Sequence, residues 1–186
     1  MSRFISLVAG LFIAFILALP ILLISVLIFL KDKEYPLYFS SRVGKNNKIF
    51  LMPKFRTMSS NTPEVATHLL SSPDDYLLST GPFLRKYSLD ELPQIVSVIK
   101  GDMAFVGPRP ALFNQDDLIS LRNSKGINQL KPGVTGWAQV NGRDELSILE
   151  KVGYEEEYFR KASLRFDIYI IWLTIIKVLK RDGISH

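Results

Sequence analysis

The chain has 186 residues, of which 47% are apolar, and its 23 Lys and Arg residues against 18 Asp and Glu residues give a net charge of +5. This apolar content excludes a disordered chain, and the length predicts one globular domain with at most a small additional element. The absence of cysteine excludes disulfides, zinc sites built on thiolates and cysteine nucleophiles.

The first predicted element is a long apolar segment at the amino end. Residues 4–30 carry no charged side chain, and a membrane helix needs about 20 such residues. A cleavable signal peptide matches poorly, because its apolar region is usually about 7 to 15 residues long and a small-residue cleavage site follows it. We therefore expect a retained membrane helix over residues 1–30 and a globular domain over residues 31–186.

The topology of this segment has two interpretations, of which a single membrane-spanning helix is the simpler. Pro20 favours the other, because a proline near the middle of the segment removes a backbone hydrogen bond and kinks the helix. Positive residues also lie on both sides of the segment, at Arg3 and from Lys31 onward, so the positive-inside rule places both ends in the cytoplasm. A re-entrant helix that enters the membrane, bends at Pro20 and returns on the same side satisfies both observations.

The most informative motif is SLDELP at 88–93, which contains the adjacent carboxylates Asp90 and Glu91. One interpretation is structural only: Ser88 caps a helix and Glu91 completes a capping box. Pro93 fits that box poorly, since it would lie at the fifth helical position. If Asp90 is the cap instead, Pro93 lies in the first turn, and the helix dipole keeps the Asp90 carboxylate ionised. An ionised carboxylate suits a nucleophile or a metal ligand.

Several basic residues are candidates for binding phosphate. They are Lys54, Arg56, Arg85, Lys86 and Arg109. Arg109 stands between two prolines that restrict its backbone, so its planar side chain is oriented before any ligand binds. Each of these residues alone is more often a solvated surface charge. Together with an acid pair that needs Mg²⁺ or cations, and with a membrane helix, they indicate a diphosphate substrate that meets a lipid.

Residues 131–143 are rich in glycine and turn signals. An Asn-Gly pair at 141–142 indicates a turn. The earlier glycines let the backbone approach a ligand, or they serve a purely structural β-hairpin. Trp137 lies at a membrane interface or in the core, and Arg143 is a candidate nucleotide contact.

Two helices complete the chain. The first is polar and runs from about Leu146 to Lys161, with acidic residues near its first turn. The second has an apolar stripe that packs against the core or lies in the membrane interface. The stripe consists of Ile168, Ile171, Trp172, Ile175, Ile176 and Leu179. We predict an α+β fold, namely a mainly helical globular domain with short β-hairpins, an N-terminal re-entrant helix kinked at Pro20 and interfacial amphipathic helices.

The chain resembles the bacterial sugar transferase family, the monotopic phosphoglycosyl transferases, and is closest to its small members. The motifs that carry the resemblance are KFRTM at 54–58, SLDELPQ at 88–94, KGDM at 100–103, VGPRP at 106–110 and PGVTGWAQVNGR at 132–143. The resemblance implies a re-entrant helix in the bacterial inner membrane, a catalytic domain on the cytoplasmic face and dependence on Mg²⁺. It also implies transfer of a sugar 1-phosphate from a UDP-sugar, which we expect to be N-acetylated, to undecaprenyl phosphate.

By that resemblance Asp90 would be the nucleophile and a metal ligand. It would attack the sugar-bearing phosphorus, release UMP and form a phosphosugar-aspartyl intermediate that undecaprenyl phosphate then attacks. Glu91 would be a metal partner or the base for the lipid phosphate. The residues that would hold phosphates or the nucleotide are Lys54, Arg85, Arg109 and Arg143. Membrane lipids and downstream glycosyltransferases are expected partners, and nucleic acid is not, since its binding signatures are absent from the sequence.

The sequence departs from the family in its first helix. Leu19 precedes Pro20 where small relatives commonly carry serine, and the charged pattern that often opens the helix is missing from residues 1–4. Two rival hypotheses also stand beside the enzyme with an aspartyl intermediate. A non-enzymatic membrane-anchored scaffold of a glycan assembly pathway would use Asp90 only as a helix cap. A single-displacement enzyme would release UMP only when the lipid phosphate is present.

Overall fold

The computed structural model describes residues 3–63, 73–142 and 145–180. The helices are α1 (Arg3–Asp32), α2 (Gly81–Lys86), α3 (Ile95–Lys100), α4 (Asp116–Ser124), α5 (Trp137–Val140), α6 (Ile148–Lys161) and α7 (Leu164–Lys180). The strands are β1 (Leu37–Val43), β2 (Ile49–Phe55), β3 (Ala104–Val106) and β4 (Gly133–Thr135). Short 3₁₀ helices connect them, among them Leu89–Gln94. A mainly helical chain with short strands confirms the predicted α+β fold.

The strands form two separate pairs. β1 and β2 make an antiparallel hairpin in which Leu37 pairs with Phe55, and Phe50 and Met52 of β2 point into the core. β3 and β4 are parallel. Their connection crosses over through α4, as parallel strands require.

The described part of this segment, residues 131–142, does not form a hairpin, so that interpretation is wrong. β4 pairs with β3, and the chain then enters α5. The glycines serve backbone packing: a Cβ on Gly133 would lie 2.1 Å from the Gly107 nitrogen, and one on Gly136 would lie 2.1 Å from the Gly107 oxygen. Only glycine allows the two segments to approach so closely.

α1 is one helix that packs along the globular part of the chain. Its packed side chains are Ile13, Ala14, Ile21, Ile24 and Ile28. The helix continues through Pro20, and the kink and the re-entrant path stay predictions. Large apolar side chains cover its other side, and Phe15 is 83% exposed. By length and composition the helix could cross a membrane, and such an exposed apolar surface is typical of contact with lipid.

Both ends of α1 contact the rest of the chain. Near its start, a Cβ on Gly10 would lie 3.3 Å from Cγ1 of Ile99 in α3. At its end, the Asp32 carboxylate accepts hydrogen bonds from the Ser79 amide at 2.8 Å and the Thr80 hydroxyl at 2.6 Å. These contacts fix the helix to the segment that leads into α2.

α6 begins with a capping box. The Ser147 hydroxyl accepts from the Glu150 amide, and the Glu150 carboxylate accepts from the Ser147 amide at 2.9 Å. The predicted polar helix is therefore confirmed, with its start at Ile148. The acidic residue in the first turn is Glu150, where its negative charge interacts favourably with the helix dipole.

α7 buries a different side from the stripe that the sequence suggests. Ile170 is fully buried, as is most of Asp167, whose carboxylate accepts from the Tyr158 hydroxyl at 2.7 Å. The stripe residues Ile168, Trp172 and Ile175 are 58%, 55% and 54% exposed. The core-packing interpretation is therefore wrong for these three. Hydrophobic spacing misses this orientation because hydrogen-bonded polar side chains share the buried side.

Candidate functional site

The acid pair lies in the first turn of the 3₁₀ helix Leu89–Gln94. Ser88 precedes the helix in a left-handed conformation (φ 51°, ψ 25°), which is uncommon for a residue with a Cβ. The helix begins at Leu89, so Asp90 lies inside it and is not the cap. The Ser88 side chain makes no capping hydrogen bond, so the Ser88–Glu91 capping box is not formed either. The left-handed residue instead turns the chain sharply between α2 and the acid pair.

Two cations hold the side chain of Glu91. Lys54, near the end of β2, places Nζ 2.9 Å from Glu91 Oε1, and Arg109 Nη2 lies 3.2 Å from the same oxygen. Lys54 Nζ is also 3.6 Å from Asp90 Oδ2. The packing of β2 against the 3₁₀ helix thus brings Lys54 to Asp90, which lies 36 positions later in the sequence. Charge-assisted hydrogen bonds fix the side chain of Glu91 more firmly than that of Asp90.

Burial raises the pKa of the Asp90 carboxyl above its usual value. The positive charge of Lys54 opposes this rise, and the negative charge of Glu91 adds to it. The positive charges of Arg85 and Arg109 also oppose the rise, but the net pKa stays above the usual value. The net direction is opposite to the one that a helix dipole alone predicts, because burial outweighs a single turn of 3₁₀ helix. A carboxylate with a raised pKa is a stronger base, and Asp90 lies in a partly dehydrated position.

Arg85 joins the cluster from the last turn of α2. Its Nε donates to the Thr57 hydroxyl at 3.0 Å, and burial lowers the pKa of its guanidinium while the charge of Asp90 raises it. Thr57 belongs to the KFRTM motif but was not among the candidates. Arg56 instead donates to the Tyr35 carbonyl, and Lys86 lies 6.0 Å from the Tyr87 ring centre. The structure therefore brings Lys54, Arg85 and Arg109 to the acid pair, but gives Arg56 and Lys86 other contacts.

Arg42 of β1 is a further member that the sequence analysis missed. Its Nη1 donates to the Pro110 carbonyl at 3.1 Å and its Nε to the Ser40 hydroxyl at 3.0 Å. Burial, followed by repulsion from Arg109, lowers its pKa to about 10, so it stays charged at neutral pH. The only signal in the sequence is an arginine within an otherwise mostly uncharged strand.

The two remaining candidates have different outcomes. Arg143 lies outside the described residues. Trp137 begins α5, donates from Nε1 to Glu157 at 2.8 Å and packs on the Phe166 ring at 5.1 Å between ring centres. Of its two interpretations, the structure supports packing among the helices.

The acid pair fits Mg²⁺ only together with a further oxygen donor. Across residues 3–63, 73–142 and 145–180, no group of three or more His, Asp or Glu side chains is placed to hold a metal. Mg²⁺ is, however, commonly held by one or two carboxylates, water and the phosphates of a substrate. Glu91 already contacts two cations. Asp90 is therefore the more available ligand, and a bound phosphate would complete the donor set.

Comparison with known proteins gives a consistent family. The model of the bacterial sugar transferase family matches residues 1–181. An uncharacterized sugar transferase, EpsL, of Bacillus subtilis is 39% identical over 153 residues, which cover 81% of this chain and 74% of that protein. A UDP-galactose-lipid carrier transferase of Erwinia amylovora is 36% identical over 185 residues, or 90% of this chain and 38% of that protein.

The name of a third relative states the reaction of that protein. It is the UDP-glucose:undecaprenyl-phosphate glucose-1-phosphate transferase of Escherichia coli, 38% identical over 148 residues. These residues cover 76% of this chain but 32% of the relative. The chain thus spans most of the Bacillus protein and about a third of the two larger relatives.

Proposed function

The chain belongs to the bacterial sugar transferase family, and we propose that it transfers a sugar 1-phosphate from a UDP-sugar to undecaprenyl phosphate. The observation that carries this proposal is the Asp90–Glu91 pair beside the three cations Lys54, Arg85 and Arg109. Such a cluster can hold a diphosphate next to a carboxylate nucleophile. The names of the Erwinia and Escherichia relatives support a sugar donor and a lipid carrier of this kind.

The reaction has two displacements at one phosphorus. A carboxylate oxygen of Asp90 forms a bond to the sugar-bearing phosphorus, and the bond from that phosphorus to the bridging oxygen breaks, so UMP leaves with the electron pair. An oxygen of undecaprenyl phosphate then attacks the same phosphorus. The bond to Asp90 breaks, which releases the polyprenyl-diphosphate-sugar and restores the carboxylate.

The other residues of the cluster bind and orient. Lys54 and Arg109 hold Glu91, which serves as base for the lipid phosphate, and with Arg85 they offset the charge of the transferred group. We further propose that Arg143 contacts the nucleotide. Mg²⁺, bound through Asp90 and the phosphates of the donor, would supply additional neutralisation of negative charge.

The membrane location follows from the two substrates. A polyprenyl chain stays in the bilayer, whereas a nucleotide diphosphate stays in water, so the site must lie at their boundary. We propose that α1 is a re-entrant helix of the inner membrane bent near Pro20, that α7 lies in the interface, and that the domain from residue 31 onward lies on the cytoplasmic face. Downstream glycosyltransferases are proposed to take up the product.

Intact-mass spectrometry tests the intermediate directly. The protein is incubated with Mg²⁺ and, separately, UDP-glucose, UDP-galactose and UDP-N-acetylglucosamine, without lipid. We expect one donor to add the mass of a phosphosugar to the chain and to release an equal amount of UMP. The proposed donor is the N-acetylated sugar, and the screen decides among the three.

Two variants make this test specific. Asp90→Asn should carry no adduct, and Asp117→Asn, which changes an exposed carboxylate of α4, should carry the same adduct as the native chain. UMP release that requires undecaprenyl phosphate and leaves no adduct would support the single-displacement enzyme. No UMP release with any donor, with or without lipid, would support the scaffold.

A further inference from the structure

A buried ion pair joins α4 to α6 behind the site. Arg122 Nε donates to Glu155 Oε2 at 2.8 Å, and Arg122 Nη2 donates to Glu155 Oε1 at 2.5 Å. The exposed fractions of the two side chains are 9% and 2%. This bidentate contact uses the planar shape of the guanidinium, which a lysine cannot reproduce.

Such a pair does little for stability by itself. Removing two charges from water costs much of what their attraction returns, and apolar residues of similar volume often serve a core equally well. A purely structural role therefore does not require these residue types. The pair makes one additional contact that apolar residues could not make: Arg122 Nη2 also donates to the backbone carbonyl of Arg109 at 3.0 Å.

The segment around Arg109 depends on such carbonyl contacts. Two of its three residues, 108–110, are prolines without an N–H donor, so its backbone is fixed mainly through its oxygens. The three successive carbonyls accept hydrogen bonds from the Gly133 amide, the Arg122 side chain and the Arg42 side chain. The middle contact, at Arg109 itself, is the one that the buried pair provides.

The side chain of the same Arg109 lies on the acid pair. Its Nη2 is 3.2 Å from Glu91 Oε1, and its charge lowers the pKa of Asp90. A continuous series of contacts therefore runs from Glu155 through Arg122 to the Arg109 carbonyl, and from the Arg109 side chain to Glu91.

We infer that Arg122 and Glu155 are positioning residues, which fix the backbone of Arg109 so that its side chain is placed on Glu91 and on the phosphate of the substrate. This inference rests on the proposed function. Neither residue touches the reacting atoms. Their effect on the rate arises because a displacement of about 1 Å in a binding residue can cost on the order of 100-fold in rate.

The first test replaces the pair by apolar residues of similar size. R122M/E155L should keep the fold, because no unpaired charge remains, and its thermal midpoint should stay near that of the native chain. Its kcat for UMP release should fall about 10- to 100-fold. Native activity in this folded variant would overturn the inference.

A double-mutant cycle separates positioning from a general structural role. R109A is expected to reduce activity by itself. If the pair acts through Arg109, adding R122M/E155L to R109A should change the rate less than about threefold, since coupled residues give non-additive effects. Losses that multiply in the combined variant would overturn the inference.

A neighbouring ion pair provides the matched control. Lys125, directly after α4, places Nζ 3.1 Å from Oε2 of Glu156 in α6, on a more exposed surface. K125Q/E156Q should change activity less than about twofold, as is usual for an exposed pair.

If R122M/E155L does not fold, R122K is the second variant, because it keeps the charge without the planar fork. R122K should lower activity in the native background but cause no further loss when it is added to R109A.

The outcomes distinguish this inference from the proposed function. A native chain that releases no UMP from any UDP-sugar, with or without lipid, overturns the proposed function and the inference with it. A native chain that is active, together with additive losses in the cycle, overturns only the positioning role of Arg122 and Glu155.

Discussion

Asp90 combines a raised pKa with an adjacent carboxylate and three nearby cations. A raised pKa in the folded state means that this carboxyl favours the folded state below its ordinary pKa, and that the contribution is lost as pH rises through the folded value. At neutral pH the ionised, partly buried group therefore costs stability. We expect Asp90→Asn to abolish transfer while leaving the thermal midpoint at pH 7 unchanged or higher.

Differential scanning fluorimetry together with UMP release measures both effects of Asp90→Asn. The same scans at a pH below the ordinary carboxyl pKa should show a smaller difference between variant and native chain, because Asp90 is then protonated in both states. A lower midpoint at pH 7 would contradict the assigned direction of the Asp90 pKa.

The proposed role of Asp90 as nucleophile predicts a pH dependence that Lys54 influences. Its charge lowers the pKa of the Asp90 carboxyl, so Lys54→Met should raise that pKa further. The acidic limb of the kcat/KM profile, which reports the ionisation of the nucleophile in the free enzyme, should move to higher pH. Lys48→Met, an exposed residue at the turn of the same hairpin, should leave the profile in place.

At this scale the sequence identified the charged residues of the motifs but not those that support them. Asp90, Glu91, Lys54, Arg85 and Arg109 are brought together as a group. The supporting residues are Arg42, Thr57 and Arg122. Arg42 and Arg122 donate to backbone carbonyls, and the Thr57 hydroxyl accepts from the Arg85 guanidinium. These contacts join segments that are distant in sequence, so no local pattern encodes them.

At the scale of elements, the N-cap residue Ser147 stabilises the start of α6. The capping box satisfies two amides of the first turn, and loss of such a serine costs about 1 kcal/mol. Ser147→Ala should therefore lower the free energy of unfolding by about 1 kcal/mol without changing kcat. Chemical denaturation measures the difference, and Glu150→Gln, which keeps a side-chain acceptor, should have a smaller effect. An unchanged free energy for Ser147→Ala would contradict the role of the box.

α7 should present Trp172 to lipid. The chain contains two tryptophans, of which Trp172 is exposed on the apolar side of α7 whereas Trp137 is packed among aromatic rings. In vesicles containing brominated lipid, the Trp172 fluorescence of a Trp137→Phe variant should be quenched. The matched Trp172→Phe variant, which retains Trp137, should be quenched much less. Equal quenching would contradict an interfacial position for α7.

The elements also show which sequence signals were reliable. The apolar segment and the polar helix before Lys161 were recognised because one property dominates each of them. The hairpin interpretation of the segment after Lys131 was wrong. Its glycines allow close packing against the backbone of Gly107, which is distant in sequence. The buried side of α7 was missed because it includes Asp167, which is buried, and Thr174, which is half-buried, and both side chains are hydrogen-bonded.

The topology of the whole molecule can be tested by cysteine labelling, because the chain has no native cysteine. With both ends of α1 on the cytoplasmic side, Ser2→Cys should resist an impermeant thiol reagent in intact cells and react after permeabilisation. Lys125→Cys on the globular domain provides the matched position. Labelling of Ser2→Cys but not of Lys125→Cys in intact cells would show a spanning helix.

The hydrophobic core is shared between α1 and the globular part of the chain. Ile28 is fully buried against Phe55 and Leu84, and Ile13 and Ile21 pack on the cluster around Phe50. A shortened protein that begins after Asp32, made for easier purification, would uncover these surfaces and aggregate. Because α1 precedes the other elements, it leaves the ribosome before them. We therefore expect α1 to enter the bilayer first and the later segments to fold against it.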